Sequence, residues 1–393
     1  MFYTIPHYYR AFRCSKGACP DTCCGGWEIS IDRAALKKYR KKKGPLGARL
    51  RNEIDWSRKC FRQYHGQCAF LSEEKLCELY QEGGEALALC VTCRLYPRHA
   101  EEFPNLREFS LSLSCPAAAE QILLSPVPVR FLQGENPNRT ETHRFWGFDI
   151  PLFTTLKKNR SFLFQTLQDR SRPLYLRTAV VLAFCHDLQE RVDRRALNRA
   201  EELFVRYRSK DLLEWFSRRL SARNRREELR HQTLARLFGL LDHLEILRDD
   251  WLPYFSGAKA ALQSQCASSV QSREAFRKFF TDAMTEQLLI YFLFTYFYGA
   301  VYNGSPYGKA KLAFAGTVLI RELAMAYWLK AQAPVRGSAP DAPQTVSLRI
   351  ALEAAWKFSR ELEHSDFNLY RLEALLEDEE RFGLEALFSL FPT

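Results

Sequence analysis

Glycine-rich phosphate and dinucleotide loops are missing from this 393-residue sequence. There is no G-x-x-x-x-G-K-[ST], and no G-x-G-x-x-G follows a strand-like run; Gly83-Gly84 is too short to serve as either. H-E-x-x-H and G-x-S-x-G are absent as well, which removes the common zinc-protease and serine-hydrolase signatures. A nucleotide-like cofactor would therefore be held in some less usual way. The opening "MFYTIPHYYRAFRC" lacks the basic and then apolar regions of a secretory signal. The most apolar run, Leu288 to Tyr302, is shorter than the ~18–20 residues of a span. With several tyrosines in it, a buried core helix is expected there. These absences lead to the expectation of a cytoplasmic chain without a membrane span. Cysteine, too, is scarce over most of the length: only Cys185 and Cys266 lie beyond residue 120.

The other ten of the twelve cysteines precede that point: Cys14, Cys19, Cys23, Cys24, Cys60, Cys68, Cys77, Cys90, Cys93 and Cys115. "CSKGACPDTCCGGW" puts four of them into eleven positions. Such a group can form disulfides, bind zinc, hold an iron–sulfur cluster or perform redox chemistry. A reducing cytoplasm favours metal or catalysis over disulfides. Thiolates suit both zinc and iron–sulfur clusters. Gly17, Gly25 and Gly26 give the backbone freedom to wrap around a metal, and Cys68, Cys77, Cys93 and Cys115 can complete a ligand set. Only Cys90 and Cys93 have the C-x2-C spacing of a zinc knuckle. The irregular gaps lean away from a zinc finger and also miss the C-x3-C-x2-C pattern of radical enzymes. Ligand assignment stays open. Isolated Cys185 and Cys266 are expected to be buried thiols.

The patterning predicts a mainly α protein: an irregular cysteine-rich metal-binding module packed on a helical bundle or array. The module covers residues 1–121. Within it, Asp32 is the expected N-cap of a helix that ends at Gly44-Pro45. "EALALCVTCRLYP" reads as one short helix stopped before Pro97, and "LREFSLSLSCP" as a strand. Residues 122–149, with three prolines, form a connecting segment. From 150 to 393 the apolar residues recur at spacings of three and four, as in helices, with a flexible joint at about 333–345. No βαβ alternation or fixed repeat is present.

Net charge is +11, a weak pointer to acidic partners. The basic runs Arg40–Lys43 and Arg218–Arg230 read as solvated helix faces. Without interleaved aromatics, the second run does not suit stacking on single-stranded nucleic acid. His65, His99 and His143 lie in or near the module, and His99, after "YPR", is the one of greatest interest. Trp27 is expected to shield a metal from solvent.

Four stretches together resemble the flagellin lysine-N-methylase family: "RCSKGACPDTCCGGWEISID", "CAFLSEEKLCELY", "TCRLYPR" and "SLSLSCP". They come in that family's order between residues 13 and 116. A wider group of small cysteine-rich zinc- or iron-chelating proteins is similar more loosely. The resemblance implies a protein-lysine N-methyltransferase that moves a methyl group from S-adenosylmethionine to lysine ε-amines of flagellin. It also implies an iron–sulfur cluster, of the 4Fe-4S kind with zinc as alternative, among Cys14, Cys19, Cys23, Cys24, Cys68, Cys77, Cys93 and Cys115. Cys60, Cys90, Cys185 and Cys266 fall outside the family pattern. An iron with an open position, binding the amino and carboxylate ends of the methyl donor, would account for the missing glycine-rich loop. Flagellin is the implied partner, and no nucleic acid is expected. The lysine must lose its proton to accept methyl; a buried carboxylate, a tyrosine or desolvation can bring that about. Tyr291, Tyr296, Tyr298 and Tyr302 are candidates, although core packing is the expected role for most, and no catalytic base is assigned. The rival readings are a non-enzymatic zinc- or iron-chelating interaction module and a basic nucleic-acid or chaperone-like binding protein.

Overall fold

The structure is a computed structural model that describes residues 1–138, 145–220, 224–263, 270–332 and 343–391. Asp32 organises much of the N-terminal third. Its Oδ1 accepts hydrogen bonds from the backbone N–H of Ala34 (3.1 Å) and Ala35 (3.0 Å), which caps helix α1 (Arg33–Lys41). Gly44, at positive φ, separates α1 from α2 (Gly44–Glu53), and Pro45 sits in the first turn of α2, where its missing N–H costs nothing. The stretch expected to be one helix before Pro97 is two, α3 (Glu78–Ala88) and α4 (Val91–Leu95). The break has a tertiary cause. Asp32 Oδ2 accepts from Val91 N–H at 2.8 Å, so one carboxylate caps two helices 59 residues apart.

Strand β1 (Phe2–Pro6) begins the sheet. Two two-residue ribbons follow, β2 (Ile54–Asp55) with β3 (Cys60–Phe61) and β4 (Gln63–Tyr64) with β5 (Gln67–Cys68). Next come β6 (Arg98–Phe103), β7 (Leu106–Leu111) and β8 (Phe131–Glu135). The expected strand is β7. The four-stranded order is β6-β7-β1-β8. β1 runs parallel to β7, Phe2 opposite Leu106, and antiparallel to β8, Phe2 opposite Glu135. Residues 122–149, expected as a connecting segment, thus supply an edge strand. Ile29, Ile31, Tyr39, Leu50, Phe61 and Phe70 form a small core of their own, joined by Cys68 and Cys90. Leu111, Leu113 and the apolar face of α5 (Pro116–Leu123) belong instead to the large core of the body.

The body is helical throughout its described residues. At its centre the Pro306–Gln332 helix is buried on nearly every side. It packs against the Asp282–Tyr296, Pro343–Glu363, Trp251–Leu262 and Leu174–Asp193 helices. Among the described residues this is one helix long and apolar enough to cross a membrane, yet 89% of its most apolar window is buried inside the protein. The apolar run from Leu288 is likewise a core helix. Several charges inside this core are paired. Glu286 receives Arg177 (2.7 Å) and Arg170 (3.0 Å), and Arg230 meets Glu322 at 2.6 Å. Arg230 therefore departs from the expected solvated face: it is buried, because Glu322 on the central helix supplies its counter-charge.

Candidate functional site: a thiol layer beside an acidic cavity

Most of the predicted metal cysteines lie within electrostatic reach of one another. Cys19 lies close enough to Cys23 and Cys14, and Cys115 close enough to Cys19 and Cys23, for their charges to interact. Cys68 interacts in the same way with Cys77 and Cys23, and Cys93 with Cys24 and Cys68. Burial pushes the Cys68 and Cys115 thiols up to about 11. A hydrogen bond with Cys24 is the main reason the Cys23 thiol also rises. Cys90, outside the predicted set, has its Sγ 3.5 Å from Cys93 Sγ. Their C-x2-C spacing was the available signal. The bond to Cys93 draws the Cys90 thiol down and pushes the Cys93 thiol up. Among the described residues, no three His, Cys, Asp or Glu side chains converge as a metal-ligand set. Cys60 is buried away from this layer in β3, Cys185 is fully buried in the Leu174–Asp193 helix, and Cys266 and His143 lie outside the described residues. His65 takes the turn between β4 and β5.

One arginine ties the layer to the body. Arg360, 2% exposed, donates from Nε to the Ser114 carbonyl (2.9 Å) and from Nη1 to Asp21 (2.5 Å). Its Nη2 is buried with no hydrogen-bond partner, and its charge acts to lower Cys19 and Cys23. An unpartnered guanidinium nitrogen next to thiols suits a negatively charged, thiolate-held group, which is the one feature here that fits an iron–sulfur cluster. Gly26 is required where it stands: φ is +81°, and a Cβ would lie 2.5 Å from the Arg248 side chain. Trp27 packs on His364 (5.0 Å between centroids) and Tyr96 (5.7 Å), and its indole N–H donates to the Cys23 carbonyl at 3.0 Å. Burial and the charge of Arg360 hold His364 down at about 3, so it is neutral where it meets Ser114 Oγ at 2.9 Å.

Behind Ser112–Cys115 lies a cavity of about 330 Å³ between the β6–β7 hairpin and the Asp282–Tyr296, Pro343–Glu363 and Asp366–Leu375 helices. Its focus is Glu363. Tyr291 Oη (2.5 Å) and Tyr296 Oη (2.9 Å) donate to Oε2, and Ser359 Oγ (2.7 Å) donates to Oε1. Burial raises the Glu363 carboxyl, against the pull of these three donors. Tyr291 also accepts from Leu113 N–H at 3.0 Å, so the cavity wall and the thiol layer share one stretch of backbone. Deeper in, Lys309 pairs with Glu373 at 2.6 Å, and Asn303 donates to the same carboxylate. At the mouth, His99 meets Glu101 at 2.7 Å. Burial alone would lower His99, but Glu101 outweighs it and the histidine is raised. Asp366, Tyr302 and Tyr370 complete the rim. Of the four tyrosines noted in the sequence, three line this cavity; Tyr298 instead stacks on Arg160, whose guanidinium carbon is 3.4 Å from its ring centroid. Glu363 went unnoticed in the sequence. Buried tyrosine hydroxyls on an apolar helix were the hint, since each needs an acceptor from elsewhere.

Residues 160–390 match the family model described as the FliB lysine N-methylase C-terminal domain, and the chain belongs to that family. Over 132 residues, 31% of this chain, it is 33% identical to the flagellar biosynthetic protein FliU of Salmonella muenchen, 78% of which is covered. It is equally similar over 132 residues to the lysine-N-methylases of Salmonella typhimurium and Salmonella choleraesuis, where the shared part spans 33% of each relative. No solved structure matches the chain.

Proposed function

We propose that this protein is an S-adenosylmethionine-dependent lysine N-methyltransferase that modifies flagellin in the cytoplasm. An iron–sulfur cluster would be held among Cys14, Cys19, Cys23, Cys24, Cys68, Cys77, Cys93 and Cys115. The observation that carries this reading is the family match over residues 160–390, which takes in most of the wall of the acidic cavity. Residues 1–121 would serve as the cofactor module and 150–393 as the substrate-bearing body, with 122–149 joining them. When bound, the cluster would supply an iron able to take the amino and carboxylate ends of the methyl donor. The chain's own residues would do the rest. Arg360 offsets negative charge at the thiols, and Trp27 covers them from the body side. The tyrosines and carboxylates of the cavity accept a cation.

Purification without oxygen, with a visible spectrum and iron, sulfide and zinc analysis, tests the cofactor. Broad absorption near ~400 nm with matched iron and sulfide is expected for a thiolate-held cluster. Incubation with S-adenosylmethionine and flagellin, followed by mass spectrometry of flagellin lysines, tests the activity. A colourless protein holding zinc, with no methyl transferred, would establish the rival, a non-enzymatic chelating interaction module.

A further inference from the structure

We propose that the cavity around Glu363 is the acceptor site. It takes one extended primary-ammonium side chain, and Glu363 receives that ammonium's proton. This deepens the methyltransferase reading and rests on it.

Charge is the first argument. The chain as a whole carries +11, yet this cavity is lined by Glu101, Glu363, Asp366 and Glu373 against Lys309 and His99. Lys309 is already engaged by Glu373, and His99 by Glu101. Glu363 and Asp366 therefore have no ion-pair partner among the described residues, and His99 acts on Glu363 only at longer range, in a chain of net charge +11.

Hydrogen-bonding capacity is the second. An ionised carboxylate has about four acceptor positions. Three on Glu363 are filled by Tyr291, Tyr296 and Ser359, which fix its orientation. The remaining one is on Oε1, and Glu363 lines the cavity. Tyr296, Tyr302 and Tyr370 line the cavity too, and aromatic rings attract ammonium groups.

Size is the third. At about 330 Å³ the space equals roughly ten waters. That is ample for a lysine side chain, whose ammonium the acidic wall favours. The step balances simply: one N–H bond of the ammonium breaks, its proton joins the Glu363 carboxylate, and the electron pair stays on nitrogen as the lone pair that attacks methyl.

The test uses full-length protein purified without oxygen and titrated calorimetrically with n-butylammonium chloride, with 1-butanol as the uncharged control. Saturable binding of the ammonium and none of the alcohol is expected. Glu363→Gln should weaken it about tenfold, the loss of one charge-assisted hydrogen bond. It should also lower kcat on flagellin about 100-fold, the contribution of a general base, while S-adenosylhomocysteine affinity stays put. Should Glu363→Gln fail to fold, the exposed rim pair Glu101→Gln/Asp366→Asn decides, with ammonium binding expected several-fold weaker. No ammonium binding by the wild type, or equal binding by the folded variants, overturns the proposal. The two readings fail separately. An enzyme that methylates flagellin with undiminished kcat in Glu363→Gln keeps its function and loses this site. A protein that binds n-butylammonium through Glu363 yet never methylates flagellin keeps the cation site and loses the methyltransferase reading.

Discussion

Replacing Arg360 with methionine should loosen the thiol layer from the helical body. Arg360 bonds both the cysteine segment, through Asp21, and the strand end, through Ser114. The Arg360 side chain is 3% exposed and that of Asp21 17%. Removing one member of a buried ion pair costs about 3–5 kcal/mol, because the other is left desolvated. Arg248, 3.6 Å from Asp21, gives partial relief, which points to the lower end, about 3 kcal/mol. Met keeps most of the aliphatic stem, so lost packing adds little. Urea unfolding followed by circular dichroism measures the loss. A double-mutant cycle with Asp21→Asn isolates the pair, with an expected coupling of about 1–3 kcal/mol. Hydrogen exchange at Ser112–Cys115 should speed up in the same variant. A cost below 1 kcal/mol, or a coupling of zero, would refute the reasoning: the layer would then be held by Trp27 and His364, and the ion pair would be incidental.

Burial pushes the Glu361 carboxyl up to about 7, so the folded protein holds a proton there between pH 4.5 and 7 that the unfolded chain does not. Its stabilising effect, present below 4.5, is lost as pH rises through 7. Glu361→Gln should therefore match the wild type below about pH 4 and exceed it by up to about 3 kcal/mol at pH 8 in urea melts. Equal stabilities at pH 8 would show the carboxyl to be better solvated than its surroundings suggest. Glu108→Ala strands Arg160, which Glu108 binds through both oxygens, and should cost about 3–5 kcal/mol by the same assay; a loss under 1 kcal/mol would mean that the Phe294 carbonyl and the Tyr298 ring suffice. Cys19→Ala and Cys115→Ala should each lower bound iron in the purified protein, and Cys185→Ala should not. Unchanged iron in the first two would move the ligand set towards Cys68, Cys77, Cys90 and Cys93.

The helical body was legible because its apolar residues recur at helical spacing, and Asp32 was legible as a cap because Asp before a helix-forming run is a local signal. The break at Cys90 was not, since its cause is the second oxygen of that same Asp32, brought in from 59 residues away. "FYTIP" alternates too briefly to be read as a strand, and only its two partners make β1 one. The thiols were legible as a group from density alone. Their tie to Arg360 was not, because a single arginine on an apolar helix looks like a snorkelling surface residue. The cavity shows the same limit. Tyr291 and Glu363 lie 72 residues apart on different helices, and neither carries its meaning without the other.

β1 lies next to β7, with β6 beyond it, so the chain leaves the sheet after Pro6 and returns at Arg98 only two strands away. Residues 7–97, with nine of the cysteines, form a closed excursion whose two ends are anchored in one sheet. Such an insert behaves as a cassette. Its two joints, Pro6 and Arg98, leave the sheet, the α5 helix and the wall of the acidic cavity outside the insert. A cut placed after residue 121 takes away three of the four strands, leaves β8 without neighbours and exposes the wall on which Tyr291 and Glu363 depend. The helical body thus depends on the strands that frame it as well as on its own helices.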